Sequence, residues 1–216
     1  MNTLSPSSPF IAGLVKHRVA GGANPADLRV NYAQIPPTLR STRRANLTTP
    51  AGAEAAYTAA DEWAEDKRKK RGLLFIGGPG TGKTTLAVAA LRAWVEFNQG
   101  VEPVRFWDAP AGLEQIKRGF NWSPESKDDE PEPVENLARE NAVLLIDDLG
   151  QGKISEWVAS QFFLILNAAT NSGCRLLITT NKTPAELEEN LIPAAVSRIF
   201  GLCDPLIFRN GDFRRL

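Results

Sequence analysis

Gly77-Gly78-Pro79-Gly80-Thr81-Gly82-Lys83-Thr84 is the stretch from which the rest of the chain can be read. It meets the spacing G-x-x-x-x-G-K-[ST] in full. Glycines let successive backbone N–H groups curl around phosphate oxygens where a β-carbon would block the approach. A helix opening near Lys83 aims its unpaired N–H groups and its positive dipole end at the same anions. Lys83 is expected to reach the β- and γ-phosphates of a nucleoside triphosphate, and the Thr84 hydroxyl to ligate Mg²⁺. The context agrees, because an apolar run at 72–76 leads in and a mostly apolar segment at 84–98 leads out. Strand, loop and helix are expected here. Gly78, Pro79, Gly80, Thr81, Gly82, Lys83, Thr84 and Thr85 are the candidate nucleotide contacts.

Working outward, 104–107 reads as a second strand and 109–119 as a helix with Leu113 and Ile116 inward. Residues 121–140 are acidic and Pro-rich, the signature of a surface insertion. Val143-Leu144-Leu145-Ile146 is an uninterrupted apolar run, as a parallel strand needs when both sheet faces are covered. A helix at 155–171, a strand at 174–180, short helices at 187–200 and a last strand at 206–208 complete the pattern. Strands alternating with helices from residue 72 onward argue for a parallel α/β sheet.

Three further signals bear on chemistry. Asp147-Asp148 closes the apolar run 143–146, which puts both carboxylates at the C-terminal sheet edge where α/β proteins bind ligands. Asp147 suits Mg²⁺, held through water, and Asp148 suits the orientation and deprotonation of an attacking water. Asn181 ends the run Leu176-Leu177-Ile178-Thr179-Thr180, where it is either a turn residue or a group that positions that water. Arg198, on the helical stretch around 193–199, is either a surface ion-pair residue or a cation offered to a neighbouring subunit's nucleotide.

The first 47 residues differ from the rest. Lys16, Arg18, Arg29, Arg40, Arg43 and Arg44 face one acid, Asp27, and prolines and glycines punctuate the segment. It is expected to be a basic, partly flexible arm (1–47) with a partner-binding helix opening at Ser8-Pro9, ahead of a catalytic unit at 48–216. A helix at 50–66 leads to Lys67-Arg68-Lys69-Lys70-Arg71, a run read as a solvated helix end.

Composition sets outer limits. Of 216 residues 43% are hydrophobic and 23% charged, enough to bury a core. Lys+Arg 25 against Asp+Glu 25 excludes a polycation, so nucleic-acid contact must come from local patches. No apolar run approaches the ~18–20 residues of a membrane span. Cys174 and Cys203, with His17 the only histidine, do not make a zinc site and read as small buried hydrophobes in a reducing, cytoplasmic compartment.

From about residue 35 to 216 the chain resembles the AAA+ ATPases of the DnaC/DnaI helicase-loader type and the related IstB-type transposition helpers. The matching residues are the loop at 77–85, Asp147-Asp148-Leu149-Gly150, Thr179-Thr180-Asn181, and Ser197-Arg198-Ile199 through Asn210-Gly211-Asp212-Phe213-Arg214-Arg215. The resemblance implies a P-loop NTPase of the AAA+ (ASCE) type, a three-layer sandwich on a five-stranded parallel sheet with no C-terminal helical lid. It implies Lys83 and Thr84 as Walker A, Asp147 and Asp148 as Walker B, Asn181 as sensor 1, Arg198 as arginine finger and Arg214 as a nucleotide-sensing base. ATP and Mg²⁺ are the implied cofactors. Single-stranded DNA, a replicative DNA helicase or a transposase, and further copies of the chain are the implied partners. Most AAA+ proteins carry Glu where Asp148 stands, so slow hydrolysis is expected. DNA would meet the helix at 109–120, through Lys117, Arg118, Phe120 and Trp122. A nucleotide kinase and an ATP-binding scaffold without turnover are the remaining alternatives.

Overall fold

The five apolar runs become five parallel strands in a computed structural model that describes residues 25–67, 71–100, 102–119, 133–152, 154–209 and 211. They are β1 (Gly72–Gly77), β2 (Val104–Asp108), β3 (Val143–Asp147), β4 (Arg175–Thr180) and β5 (Cys203–Phe208), in the order β2-β3-β4-β1-β5. The helices are α1 (Pro25–Tyr32), α2 (Glu54–Ala64), α3 (Lys83–Phe97), α4 (Ala109–Gly119), α5 (Asn136–Arg139), α6 (Glu156–Ser172), α7 (Pro184–Asn190) and α8 (Pro193–Leu202).

The strands show why their apolar runs have no polar alternation. Leu74, Ile76, Leu144, Ile146, Leu176 and Ile178 enter one core with Phe162, Ile165 and Ile199. Leu73, Phe75, Val143, Leu145 and Leu177 enter a second core with Trp63, Leu86 and Leu91. Both faces are covered, so the middles of β1, β3 and β4 are apolar at every position, and the buried polar residues Arg175, Thr179 and Thr180 fall at the ends of β4. The result is three layers, as expected. Inserting β4 between β1 and β3 brings the ends of all three strands together: Ile76 pairs with Thr180 and Ile146 with Ile178.

Residues 25–47 correct the expected arm. Val30, Ala33 and Ile35 are buried in the second core. The Phe106 backbone N–H donates to Ala33 O at 2.7 Å, so this segment continues the hydrogen bonding of edge strand β2. Arg29, 1% exposed, donates from Nε to Gly100 O at 3.0 Å, and burial lowers its guanidinium to about 10. Arg92 on α3 pairs with Asp27 and Glu96 and donates to Arg40 O at 2.6 Å. These long-range bonds are invisible in a segment read locally as Pro- and Arg-rich chain. Ile35→Ala is therefore expected to cost about 2–3 kcal/mol in urea unfolding, as for a core isoleucine; an arm residue would leave the midpoint unchanged.

Two smaller corrections follow. Residues 133–140 of the expected insertion are not all surface, since Val134, Leu137 and Ala138 are buried around α5. β5 starts at Cys203, earlier than 206, and includes Pro205, which an edge strand tolerates because it lacks a ladder partner on one side. Arg71 fixes this edge. Its side chain pairs with Asp204 at 2.6 Å and donates to the carbonyls of Phe200, Gly201 and Cys203 at the end of α8. Cys174 and Cys203 are buried free thiols, and burial pushes Cys174 up to about 12. The helix expected at Ser8-Pro9, His17, Arg68 to Lys70, Phe120, residues 121–132 of the insertion with Trp122, and Arg214 with the closing residues from 212 lie outside the described residues. None of the described helices is long and apolar enough to cross a membrane.

Candidate functional site

The loop after β1 turns on glycines with left-handed backbone. Gly82, at φ +87°, caps α3, and no neighbouring atom lies where its Cβ would be, so the backbone conformation is what favours glycine there. Thr81 Oγ1 donates to Gly78 O at 2.9 Å and closes the loop. Lys83 is 5% exposed, and its Nζ donates to Gly78 O at 2.7 Å and to Asn181 Oδ1 at 2.8 Å. Asn181 Nδ2 in turn donates to Asp148 Oδ1 at 3.3 Å. Groups far apart in sequence thus form one chain, Lys83 to Asn181 to Asp148.

The two aspartates differ in setting. Asp147 Oδ1 accepts from Thr84 Oγ1 at 2.8 Å and from Thr179 Oγ1 at 2.6 Å. Burial pushes its carboxyl above the ordinary range, the two threonine hydroxyls pull it back, and the charges of Asp148 and Asp108 push it up again. Asp148 leaves the strand with a left-handed backbone, φ +55°. A non-glycine residue there costs about 1–3 kcal/mol in general, least for Asp and Asn.

These groups border a cavity of about 650 Å³. Pro79, Gly80, Gly82, Lys83, Thr84, Thr85, Asp148 and Asn181 line it. Asp147 does not; it stands behind Thr84. Gly78 and Thr81 shape the loop from within. The Thr84 hydroxyl and the Asp147 carboxylate are hard oxygen donors meeting at 2.8 Å, a donor set that fits Mg²⁺.

Thr48, Pro50, Tyr57 and Gln151 also line the cavity, and sequence reasoning missed them. Tyr57 falls on the buried stripe of α2, so the helical period puts it inward, but no local signal says that it borders a ligand space. Arg44 lies over its ring at 4.8 Å. Burial raises the Tyr57 phenol, and the Arg44 charge opposes this.

Arg198 is not part of this cavity. Its guanidinium lies over the Phe163 ring at 4.6 Å and donates to Ala194 O and to Asn167 Oδ1, at 3.2 and 3.3 Å. It is half-buried on the surface of α6 and α8. On α4, Lys117 pairs with Glu114 at 2.8 Å and faces the Trp157 ring at 5.6 Å.

Residues 45–199 match the family model of the bacterial DnaA ATPase domain. The chain belongs to that family. The bacterial DnaA ATPase domain is an AAA+ fold, and solved structures agree with it. The DnaC helicase loader superposes with a TM-score of 0.69 at 23% identity, over 81% of this chain and 100% of that one. Domain III of the Thermotoga maritima replication initiation protein DnaA gives 0.65 at 26%, over 79% and 68%. AMPPCP-bound DnaA from Aquifex aeolicus gives 0.61 at 22%, over 80% of this chain and 52% of that one. This DnaA-family chain thus spans all of the DnaC chain in that structure but about half of the Aquifex DnaA chain. No curated protein sequence matches it.

Proposed function

We propose that this DnaA-family chain binds and hydrolyses ATP with Mg²⁺ and serves DNA replication in the cytoplasm as a helicase loader acting on single-stranded DNA. The observation that carries this is the convergence of Lys83, Thr84, Asp148 and Asn181 on one cavity, from the ends of β1, β3 and β4. Backbone N–H groups of the loop from Gly78 to Thr85 receive the phosphates, with Lys83 against their outer oxygens. Thr84 and Asp147 would hold Mg²⁺, which when bound screens the phosphate charge and polarises the transferred group. Asp148 accepts the proton of the attacking water, and Asn181 fixes that carboxylate and the water's approach. Arg198, absent from its own cavity, is offered to the cavity of a neighbouring copy; Arg214 would sense the nucleotide. Thr48, Pro50 and Tyr57 form the wall on which the base would lie.

The similarity to the DnaC helicase loader, together with the residues shared with the loader type, supports the loader reading. The test is phosphate release with ATP and Mg²⁺, with and without single-stranded DNA, followed by pull-down from a bacterial lysate with and without ATP. Slow Mg²⁺-dependent release, faster with DNA, and ATP-dependent capture of a hexameric helicase are expected. Capture of a transposase without helicase overturns the loader reading. Transfer of phosphate to a nucleoside monophosphate, or ATP binding with no release, overturns the hydrolytic one.

A further inference from the structure

We infer that Thr179 is a positioning residue, whose hydroxyl sets Asp147 and Asp148 relative to each other. The inference rests on the proposed roles of those two aspartates. Thr179 is completely buried near the end of β4, level with Asp147 on the neighbouring strand. Its Oγ1 donates to Asp147 Oδ1 at 2.6 Å and accepts from the Asp148 backbone N–H at 2.9 Å. Its carbonyl accepts from Leu149 N at 2.8 Å, and Thr180 Oγ1 donates to Leu149 O at 2.7 Å. Three consecutive residues are thus tied to β4 at the point where the chain swings into the left-handed conformation of Asp148.

A hydroxyl is needed because one atom must donate and accept at once. Without it, Asp147 keeps only the Thr84 bond to Oδ1, and the Asp148 N–H loses the acceptor that fixes the turn. Thr179 is buried behind the cavity and is not among the residues that line it. It acts through the two carboxylates, as groups behind metal ligands do.

The full chain carrying Thr179→Val, Thr179→Ala or Thr179→Ser tests this. Three quantities are read: kcat and KM for ATP, the gain in affinity for a fluorescent ATP analogue on replacing EDTA by Mg²⁺, and the thermal midpoint. Thr179→Val is expected to lower kcat and to shrink the Mg²⁺-linked gain, each by about 10–100-fold, with KM rising in step with the lost gain while EDTA affinity stays within about threefold. Thr179→Ser, which keeps the hydroxyl, should restore both to within about threefold of the parent. If valine prevents folding, the contrast between alanine and serine decides. Parental kcat and Mg²⁺-linked gain in the valine or alanine variant, or a serine variant as impaired as they are, overturns the inference. A parent that gains affinity with Mg²⁺ but releases no phosphate overturns the hydrolytic reading alone, since the gain still decides Thr179. A parent without that gain overturns both.

Discussion

Asp148→Asn is expected to lower the rate of ATP hydrolysis by about 10³-fold, within the range for loss of a general base, while ATP binds as in the parent. The amide keeps the size of the carboxylate and an oxygen to accept from Asn181 Nδ2, now at 3.3 Å. It also tolerates the left-handed backbone at φ +55°, which asparagine adopts as readily as aspartate. What it lacks is basicity. Fold and nucleotide contacts stay in place, and only proton acceptance is removed. Single-turnover hydrolysis beside an ATP-analogue titration checks it; turnover within tenfold of the parent would take the base assignment away from Asp148.

Lys83→Ala is the converse, a loss of binding. Lys83 is held almost out of solvent by Gly78 O and Asn181 Oδ1, so its charge lies where water screens it least. Removing it is expected to weaken ATP by about 10³-fold, or about 4 kcal/mol at 1.4 kcal/mol per tenfold. The fold should not suffer, because a buried ammonium costs desolvation that alanine does not. An unchanged thermal midpoint therefore separates a lost contact from a lost structure. Affinity within threefold of the parent means that the phosphates are not gripped by this residue.

The parts of this architecture that sequence exposes are those governed by short-range chemistry. Apolar runs leading to Gly77, Asp147 and Asn181 mark three strand ends, because a strand covered on both faces keeps its polar residues, as β4 does Arg175, Thr179 and Thr180, for its ends. The loop glycines announce themselves for the same local reason. What stays hidden depends on distant partners. Val30 and Ile35 sit in a stretch whose prolines and arginines imitate linker, and only Gly100, Arg92 and Phe106 reveal that it is core. Leu137 and Ala138 are masked by the acids around them. Tyr57 is legible as an inward residue but not as a wall of the cavity, since Thr48 and Pro50 complete that wall from another segment. The perch of Arg198 on Phe163 and Asn167 is likewise a meeting of two helices.

The grip of Arg71 on the end of α8 has a mechanical consequence. Arg71 immediately precedes the strand whose far end carries the nucleotide loop, and it holds the carbonyls that close the helix bearing Arg198. If a second copy adjoins that helix, as proposed for Arg198, a push on it would be delivered to the base of β1 as through a strut. In a ring or filament joined at Arg198, successive nucleotide sites would be geared together, each sensing its neighbour through a single stiff strand.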